Sequence, residues 1–227
     1  MPSVLLVRHG QASYGGEDYD VLSEIGHRQA AVLAGELQRR GVDIHRLVSG
    51  GLNRQRDTAA AFAATTGLEV EVDPGWDEYD SQDVLTHHST SDARLDRKPG
   101  EPTTSISSRD FQDLLDGVLT DWITAGDASP AAEPWTAFDA RVRAAMDRVI
   151  DSLGSGQTAL VVSSGGTIGG ICAALLGMPP TDLVTFNRVA VNTGITRLVS
   201  GRSGVTLVTF NEHGHLDGMG PELRTYR

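Results

Sequence analysis

Cysteine occurs once in this chain of 227 residues, at Cys172, and lysine once, at Lys98. A single cysteine excludes an intrachain disulfide framework, so a packed core must hold the fold, and nothing demands an oxidising compartment. Its setting between Ile171 and Ala173 is that of a small buried hydrophobe. Apart from Lys98, every one of the 19 basic residues is arginine. The planar guanidinium suits bidentate recognition of phosphate or carboxylate, although genome composition also produces a chain-wide bias of this kind.

Positive charge is scarce overall. The net charge of −11 and pI of about 5.0 argue against nucleic acid as a partner. An anionic ligand must therefore be held by a local arginine cluster working against the field of the whole chain. Long apolar runs are also missing. The first one is short and leads straight into Arg8, so no signal peptide is expected there. Ser155 to Thr181 carries no charge but is interrupted by Ser163-Ser164-Gly165-Gly166-Thr167, so it reads as strand, turn and helix rather than a membrane span. The expectation is a cytoplasmic protein with no membrane partner. With 39% hydrophobic and 22% charged residues, residues 1–227 suit one globular domain with an elaborated insertion.

What is present alternates between strand and helix patterns. Val4-Leu5-Leu6-Val7 reads as a strand buried on both faces, and Arg8-His9-Gly10 stands at its end. Ser23 offers an N-cap, and Ile25, Val32, Leu33 and Leu37 fall on one face of a helix that ends near Gly41. Arg46–Ser49 is a short strand leading through Gly50-Gly51 into an alanine-rich helix that ends at Gly67. Leu68–Val72 alternates as a strand does, before turn chemistry at Asp73-Pro74-Gly75. Helices follow over Arg109–Ile123 and Trp135–Leu153, then a strand at Thr158–Val162 and a helix through Leu176. Two last strands, Asn192–Ser200 and Val205–Asn211, form a hairpin. The pattern predicts an α/β three-layer sandwich, with a mostly parallel central sheet and helices on both faces. The polar stretch from about 81 to 134 reads as a lid-like insertion.

In such sheets ligands bind at the carboxyl ends of the strands. There the chain places Arg8 and His9, Arg54 near a helix start, Asp77-Glu78-Tyr79-Asp80 after the third strand, and Ser163-Ser164-Gly165-Gly166 at another helix start. Two arginines and a helix N-terminus describe an anion site. A histidine among them can attack phosphorus, and a carboxyl group can protonate the departing alcohol. No glycine-rich P-loop, zinc-ligand spacing or G-x-S-x-G elbow is present.

Leu6-Val7-Arg8-His9-Gly10 resembles the signature of the histidine phosphatase superfamily, the phosphoglycerate-mutase-like fold. Leu22-Ser23-Glu24-Ile25-Gly26-His27-Arg28-Gln29-Ala30 is similar to the family's L-[ST]-x-x-G-x-x-Q-A segment, and Leu52-Asn53-Arg54 with Thr58-Ala59 to its L-x-R-x-x-x-T-A helix. The likeness returns at Val161–Gly166 and in the closing strands, and so covers most of the chain except the insertion. It implies a phosphomonoesterase on a small phosphorylated substrate, with His9 as the transiently phosphorylated nucleophile and no metal or organic cofactor. Arg8 and Arg54 would grip the phosphoryl oxygens, and Glu78, favoured over Asp77 on motif position, would be the proton donor.

One departure bears on the rate. The family carries a second histidine in S-H-G after the fourth strand, where this chain has Ser164. Losing one preorganised donor to a transition-state oxyanion costs about 3–4 kcal/mol, which Ser164 and the N–H groups of Gly165 and Gly166 would partly offset. A catalytically impaired relative that binds phosphoryl ligands is therefore the alternative. A phosphoglycerate mutase ranks lower, because Gln11-Ala12-Ser13-Tyr14-Gly15-Gly16 lacks the Thr and Asn of the mutase loop.

The remaining histidines carry less. His87-His88 suit a surface loop, and His213 and His215 would share a strand face. Arg94, Arg97, Lys98 and Arg109 could meet a second charged group of the substrate. A homodimer is the base-rate expectation.

Overall fold

A computed structural model describes residues 1–13, 20–88 and 108–226, without the side chains of 108–111. The strands are β1 (Ser3–Arg8), β2 (Arg46–Ser49), β3 (Val70–Val72), β4 (Thr158–Ser163), β5 (Ile195–Gly201) and β6 (Gly204–Glu212). They form one sheet in the order β3-β2-β4-β1-β5-β6. Strands β1 to β4 run parallel, and the β5–β6 hairpin is added antiparallel beside β1. The helices are α1 (Glu24–Arg39), α2 (Asn53–Thr66), α3 (Ser81–His88), α4 (Ser108–Ala125), α5 (Trp135–Asp151), α6 (Gly165–Leu175) and α7 (Leu183–Val189).

Alternation along the central strands builds the three layers. Val4 and Leu6 of β1 join Val48, Ala159 and Val161 in a cluster with α4, α5 and α6, through Leu119, Trp122, Phe138, Ile168 and Ile171. Leu5 and Val7 join Leu47, Leu160 and Val162 in a second cluster with Leu33 and Leu37 of α1 and Ala59 and Phe62 of α2. Successive side chains of a strand face opposite ways, so a continuous apolar run is what a strand between two helical layers requires. The layered α/β architecture expected from the sequence is thus found.

Local chemistry sets the ends of the helices. Ser23 Oγ accepts from the Gly26 N–H at 3.1 Å to cap α1, and Gly67 ends α2 in the left-handed region at φ 74°. The stretch read as an insertion is not separate at its far end. Leu114, Val118, Leu119, Trp122 and Ile123 of α4 are buried in the first cluster. Trp122 packs on Tyr79, Trp135 and Phe138, with ring centroids 5.3–5.5 Å apart. Residues 89–107 lie outside the described residues, and so do Arg94, Arg97, Lys98, Tyr14, Gly15, Gly16 and the side chain of Arg109.

Three local expectations are corrected. The first strand of the hairpin begins at Ile195, because Thr193 adopts a left-handed φ of 60° that no strand continues through. His213 and His215 do not share a strand face. β6 ends at Glu212, and His215 lies in the 3-10 turn Gly214–Leu216, where its side chain is buried. His87 and His88 close α3 rather than standing in a loop. Among the described residues no helix is long and apolar enough to cross a membrane.

Candidate active site

Parallel pairing aligns the ends of three strands on one edge of the sheet. Arg8 pairs with Ser163 in the β1–β4 register, and the His9 N–H donates to the Ser163 carbonyl at 2.9 Å. Ser49 pairs with Val162, and the Gly50 N–H donates to the Val162 carbonyl at 3.1 Å. The Arg8-His9-Gly10 turn, the start of α2 and the start of α6 are therefore neighbours, and they are the segments picked out from the sequence.

The turn after β1 is fixed from several sides, which explains the accompanying motif residues. Thr58 Oγ1 accepts from the Gly10 N–H at 3.0 Å and donates to the Arg54 carbonyl at 2.7 Å. Gln29 Oε1 accepts from the Gln11 N–H at 2.8 Å, while its Nε2 donates to the Leu223 carbonyl and to Thr225 Oγ1. Gly10 and Gly26 let this turn lie directly on the first turn of α1. A Cβ on Gly26 would stand 2.2 Å from the Gln11 carbonyl oxygen. Asn192 Nδ2 donates to the His9 carbonyl at 3.0 Å, and the Thr193 N–H donates to that of Arg8 at 3.0 Å.

His9 is buried, and its two ring nitrogens have different partners. Nδ1 lies 2.7 Å from the Gly10 carbonyl, which can only accept, so Nδ1 carries the proton. Nε2 is left with its lone pair, toward which Arg54 Nε donates at 3.3 Å. Burial, and then the charges of Arg54 and Arg8, hold the imidazole well below its usual pKa of 6.5, so the ring is neutral and its Nε2 nucleophilic near neutral pH.

The cations are held as firmly. Arg54 Nη1 donates to Asp20 Oδ1 at 2.7 Å. Arg8 Nη1 donates to the carbonyls of Ala190 and Tyr226, the latter at 2.8 Å. Asn187 of α7 reaches over Gly165 beside Arg8, so that a Cβ on Gly165 would lie 2.2 Å from Asn187 Oδ1 and 3.4 Å from Arg8 Nε.

Glu78 and Asp77, adjacent in sequence, point to different places. The carboxylate of Asp77 accepts from the Gly51 N–H after β2. That of Glu78 reaches α6, where Oε2 accepts from the Gly166 N–H at 2.9 Å. Glu78 is half-buried as a residue, yet its Oε1 is sealed from solvent and has no hydrogen-bond partner among the described residues. Burial raises its pKa above 4.5, against the opposing pull of the Gly166 N–H and of Arg54 and Arg8. The same two guanidiniums thus act on His9 and on Glu78. The loop is pinned from behind by Arg141 of α5, whose Nη1 donates to the carbonyls of Asp77 at 2.8 Å and Gly75 at 3.2 Å.

Ser164 is buried at the N-cap of α6, and its Oγ accepts from Gln55 Nε2 at 2.9 Å. Asp20, Gln55, Asn187 and Arg141 were not singled out in the sequence. Each acts through a partner remote along the chain, and no local pattern marks that. Among the described residues no group of three or more His, Cys, Asp or Glu side chains is placed to hold a metal ion.

Comparison with known proteins agrees with this architecture. A 76-residue stretch is 42% identical to a bifunctional protein of Mycobacterium tuberculosis, covering 31% of this chain and 21% of that protein, so the chain matches only about a fifth of that relative's length. Among solved structures, a mycobacterial glucosyl-3-phosphoglycerate phosphatase in complex with VO3 superposes with a TM-score of 0.65 at 24% identity, covering 93% of this chain and 99% of that one. Phosphoserine phosphatase of Entamoeba histolytica bound to 3-phosphoglyceric acid gives 0.64 at 21%, covering 95% and 100%. YhfR of Bacillus stearothermophilus gives 0.70 at 17%, covering 96% and 100%. These likenesses show the fold. The model of the histidine phosphatase superfamily, branch 1, matches residues 4–213, and the chain belongs to that family.

Proposed function

We propose that the protein is a phosphomonoester hydrolase working through a phosphohistidine on His9. The observation that carries this is the tie of His9 Nδ1 to the Gly10 carbonyl, which turns the Nε2 lone pair toward Arg54. Nε2 attacks phosphorus, and the bond from phosphorus to the ester oxygen breaks. Glu78, kept protonated by burial, gives its proton to the departing oxygen. A water molecule then attacks the P–N bond, returning its proton to Glu78 and freeing the imidazole.

Arg8, Arg54, Ser164 and the Gly165 N–H at the start of α6 bind the phosphoryl oxygens. Their charge and orientation precede the reaction, so they stabilise the spreading negative charge without reorganising. Ser164 stands in the place of the family's second histidine and supplies a neutral donor instead of a charged one. Residues 1–227 make one domain with a lid-like insertion at about 81–134, cytoplasmic, acting on a small phosphorylated substrate without metal or organic cofactor. Neighbours named as phosphatases of phosphoserine and of glucosyl-3-phosphoglycerate support that substrate class.

The purified protein should hydrolyse an aryl phosphate, insensitively to chelators, and His9→Ala should abolish the activity. A folded protein with no turnover across a phosphomonoester panel at acid and neutral pH would sink the hydrolase. The neutral hydroxyl at Ser164 favours one second reading, a phosphoryl-ligand binder without turnover. In that case phosphate or vanadate still raises the melting temperature, and Arg54→Ala removes the effect.

A further inference from the structure

Gln55 is the residue after Arg54, and its side chain is fully buried. Its carboxamide has one permitted orientation. Nε2 lies 3.2 Å from the Trp76 carbonyl, which can only accept, and Oε1 faces the Leu52 N–H at 3.4 Å. The same Nε2 is 2.9 Å from Ser164 Oγ. With the amide fixed by Trp76 and Leu52, Gln55 must donate to Ser164, and Ser164 must accept.

A hydroxyl that accepts from one side has its own proton to place elsewhere. Ser164 is 1% exposed, and no described protein group accepts from its Oγ–H. The neighbouring hydroxyl behaves differently, because Ser163 Oγ gives its proton to the Trp76 carbonyl at 2.7 Å. Two adjacent serines at the end of β4 thus have opposite assignments, one spent inside the protein and one left to donate. A buried donor without an acceptor is costly, and an anion at the start of α6 would satisfy it.

We infer that Gln55 is a positioning residue that sets the polarity of Ser164, holding its hydroxyl as a donor to the phosphoryl group. This rests on the proposed role of Ser164 in binding the phosphoryl oxygens. Gln55 touches neither the substrate nor the reacting atoms, and its effect passes entirely through Ser164 Oγ. Its contact with the Trp76 carbonyl also ties that polarity to the loop that ends in Glu78.

The test is a double-mutant cycle of Gln55→Met and Ser164→Ala, read as kcat/KM on an aryl phosphate and as the rise in melting temperature caused by inorganic phosphate. A purely structural role for Gln55 would lower activity by the same factor in both backgrounds. The positioning role predicts that Gln55→Met lowers kcat/KM roughly tenfold in the parent and has little further effect once Ser164 is alanine. Multiplying losses, or a neutral Gln55→Met in both backgrounds, overturn the inference. Gln55→Asn, too short to reach Ser164 and Trp76 together, replaces Gln55→Met if the latter does not fold. A parent without turnover but with a phosphate-induced shift ends the hydrolase proposal, and the cycle is then decided on the shift alone. A parent with neither ends both.

Discussion

Oδ1 of Asp20 accepts from Arg54 Nη1 at 2.7 Å, while Oδ2 of the same carboxylate takes the Asn53 N–H at 2.8 Å. Leu52, at the N-cap of α2, has no side chain able to cap the helix, so Asp20 does this from 33 residues before Asn53. One carboxylate both satisfies the helix start and sets the guanidinium whose Nε faces His9.

Asp20→Ala should therefore remove two things at once. The lost cap and charge-assisted bond should lower stability by about 1–2 kcal/mol, and the loosened Arg54 should lower kcat/KM by roughly tenfold or more. Asp20→Asn keeps one acceptor for the Asn53 N–H and should retain most of the stability while still losing activity. Thermal melts beside steady-state kinetics separate the two, and equal melting temperatures for Asn and Ala would argue that the cap contributes nothing.

The opposite shifts of His9 and Glu78 fix the form of the pH profile. In the proposed mechanism His9 must be unprotonated to attack, and its pKa is held well below 6.5, so the acid limb of kcat/KM lies well below that value. As the proposed proton donor, Glu78 must be protonated, and its pKa is raised above 4.5, so the alkaline limb lies above the ordinary carboxyl range. Glu78→Gln should lower the rate by about 100-fold or more and abolish the alkaline limb while leaving the acid one. An alkaline limb that persists in the Gln variant would assign the proton to another group.

His9, Arg8 and Arg54 were legible in the sequence because strand ends and helix starts are set by local chemistry, and parallel pairing carries them to one edge. The alternation of Val4, Leu5, Leu6 and Val7 between two helical layers was legible for the same reason. Gln55 was not, since its meaning lies in a bond to Ser164, 109 residues away. The pair His213 and His215 was misread because a spacing of two means a shared face only while the strand lasts, and β6 stops at Glu212. The helix over Arg109–Ile123 was legible from its apolar stripe, but its burial in the main core through Leu119 and Trp122 was not, because the polar flanks after Ser81 read as a lid.

Gly166 offers a probe of Glu78 that leaves its chemistry intact. A Cβ there would fall 2.5 Å from Glu78 Oε1 and 2.5 Å from Tyr79 Cε1. The Tyr79 ring is packed against Trp122 and Phe138, whereas the carboxyl group ends a flexible side chain, so the added methyl displaces the carboxyl group more readily than the ring. Gly166→Ala should cost about 1–3 kcal/mol of stability and lower kcat by roughly 100-fold. At Gly165 the added methyl meets the end of the half-buried Asn187 side chain, which can swing aside, so Gly165→Ala should cost much less. Comparable losses of kcat at the two positions would mean that crowding the helix start, rather than moving Glu78, lowers the rate.

His215 gives the fold a pH dependence separate from catalysis. Its Nε2 lies 3.0 Å from Thr193 Oγ1, and its buried Nδ1 has no partner among the described residues. Burial lowers its pKa from 6.5 to about 4, helped by the charges of Arg40 and His213 and opposed by Glu212 and Glu36. The unfolded chain takes up a proton as pH falls through 6.5, whereas the folded chain resists until about 4. Unfolding therefore binds a proton across that window, and acid favours the unfolded state. His215→Gln keeps a partner for Thr193 and removes the titration. Between pH 7 and pH 5, urea denaturation should show the parent losing about 2 kcal/mol more stability than the variant. Because His9 and the carboxylates titrate in both proteins, the difference isolates His215, and parallel losses would place the proton uptake elsewhere.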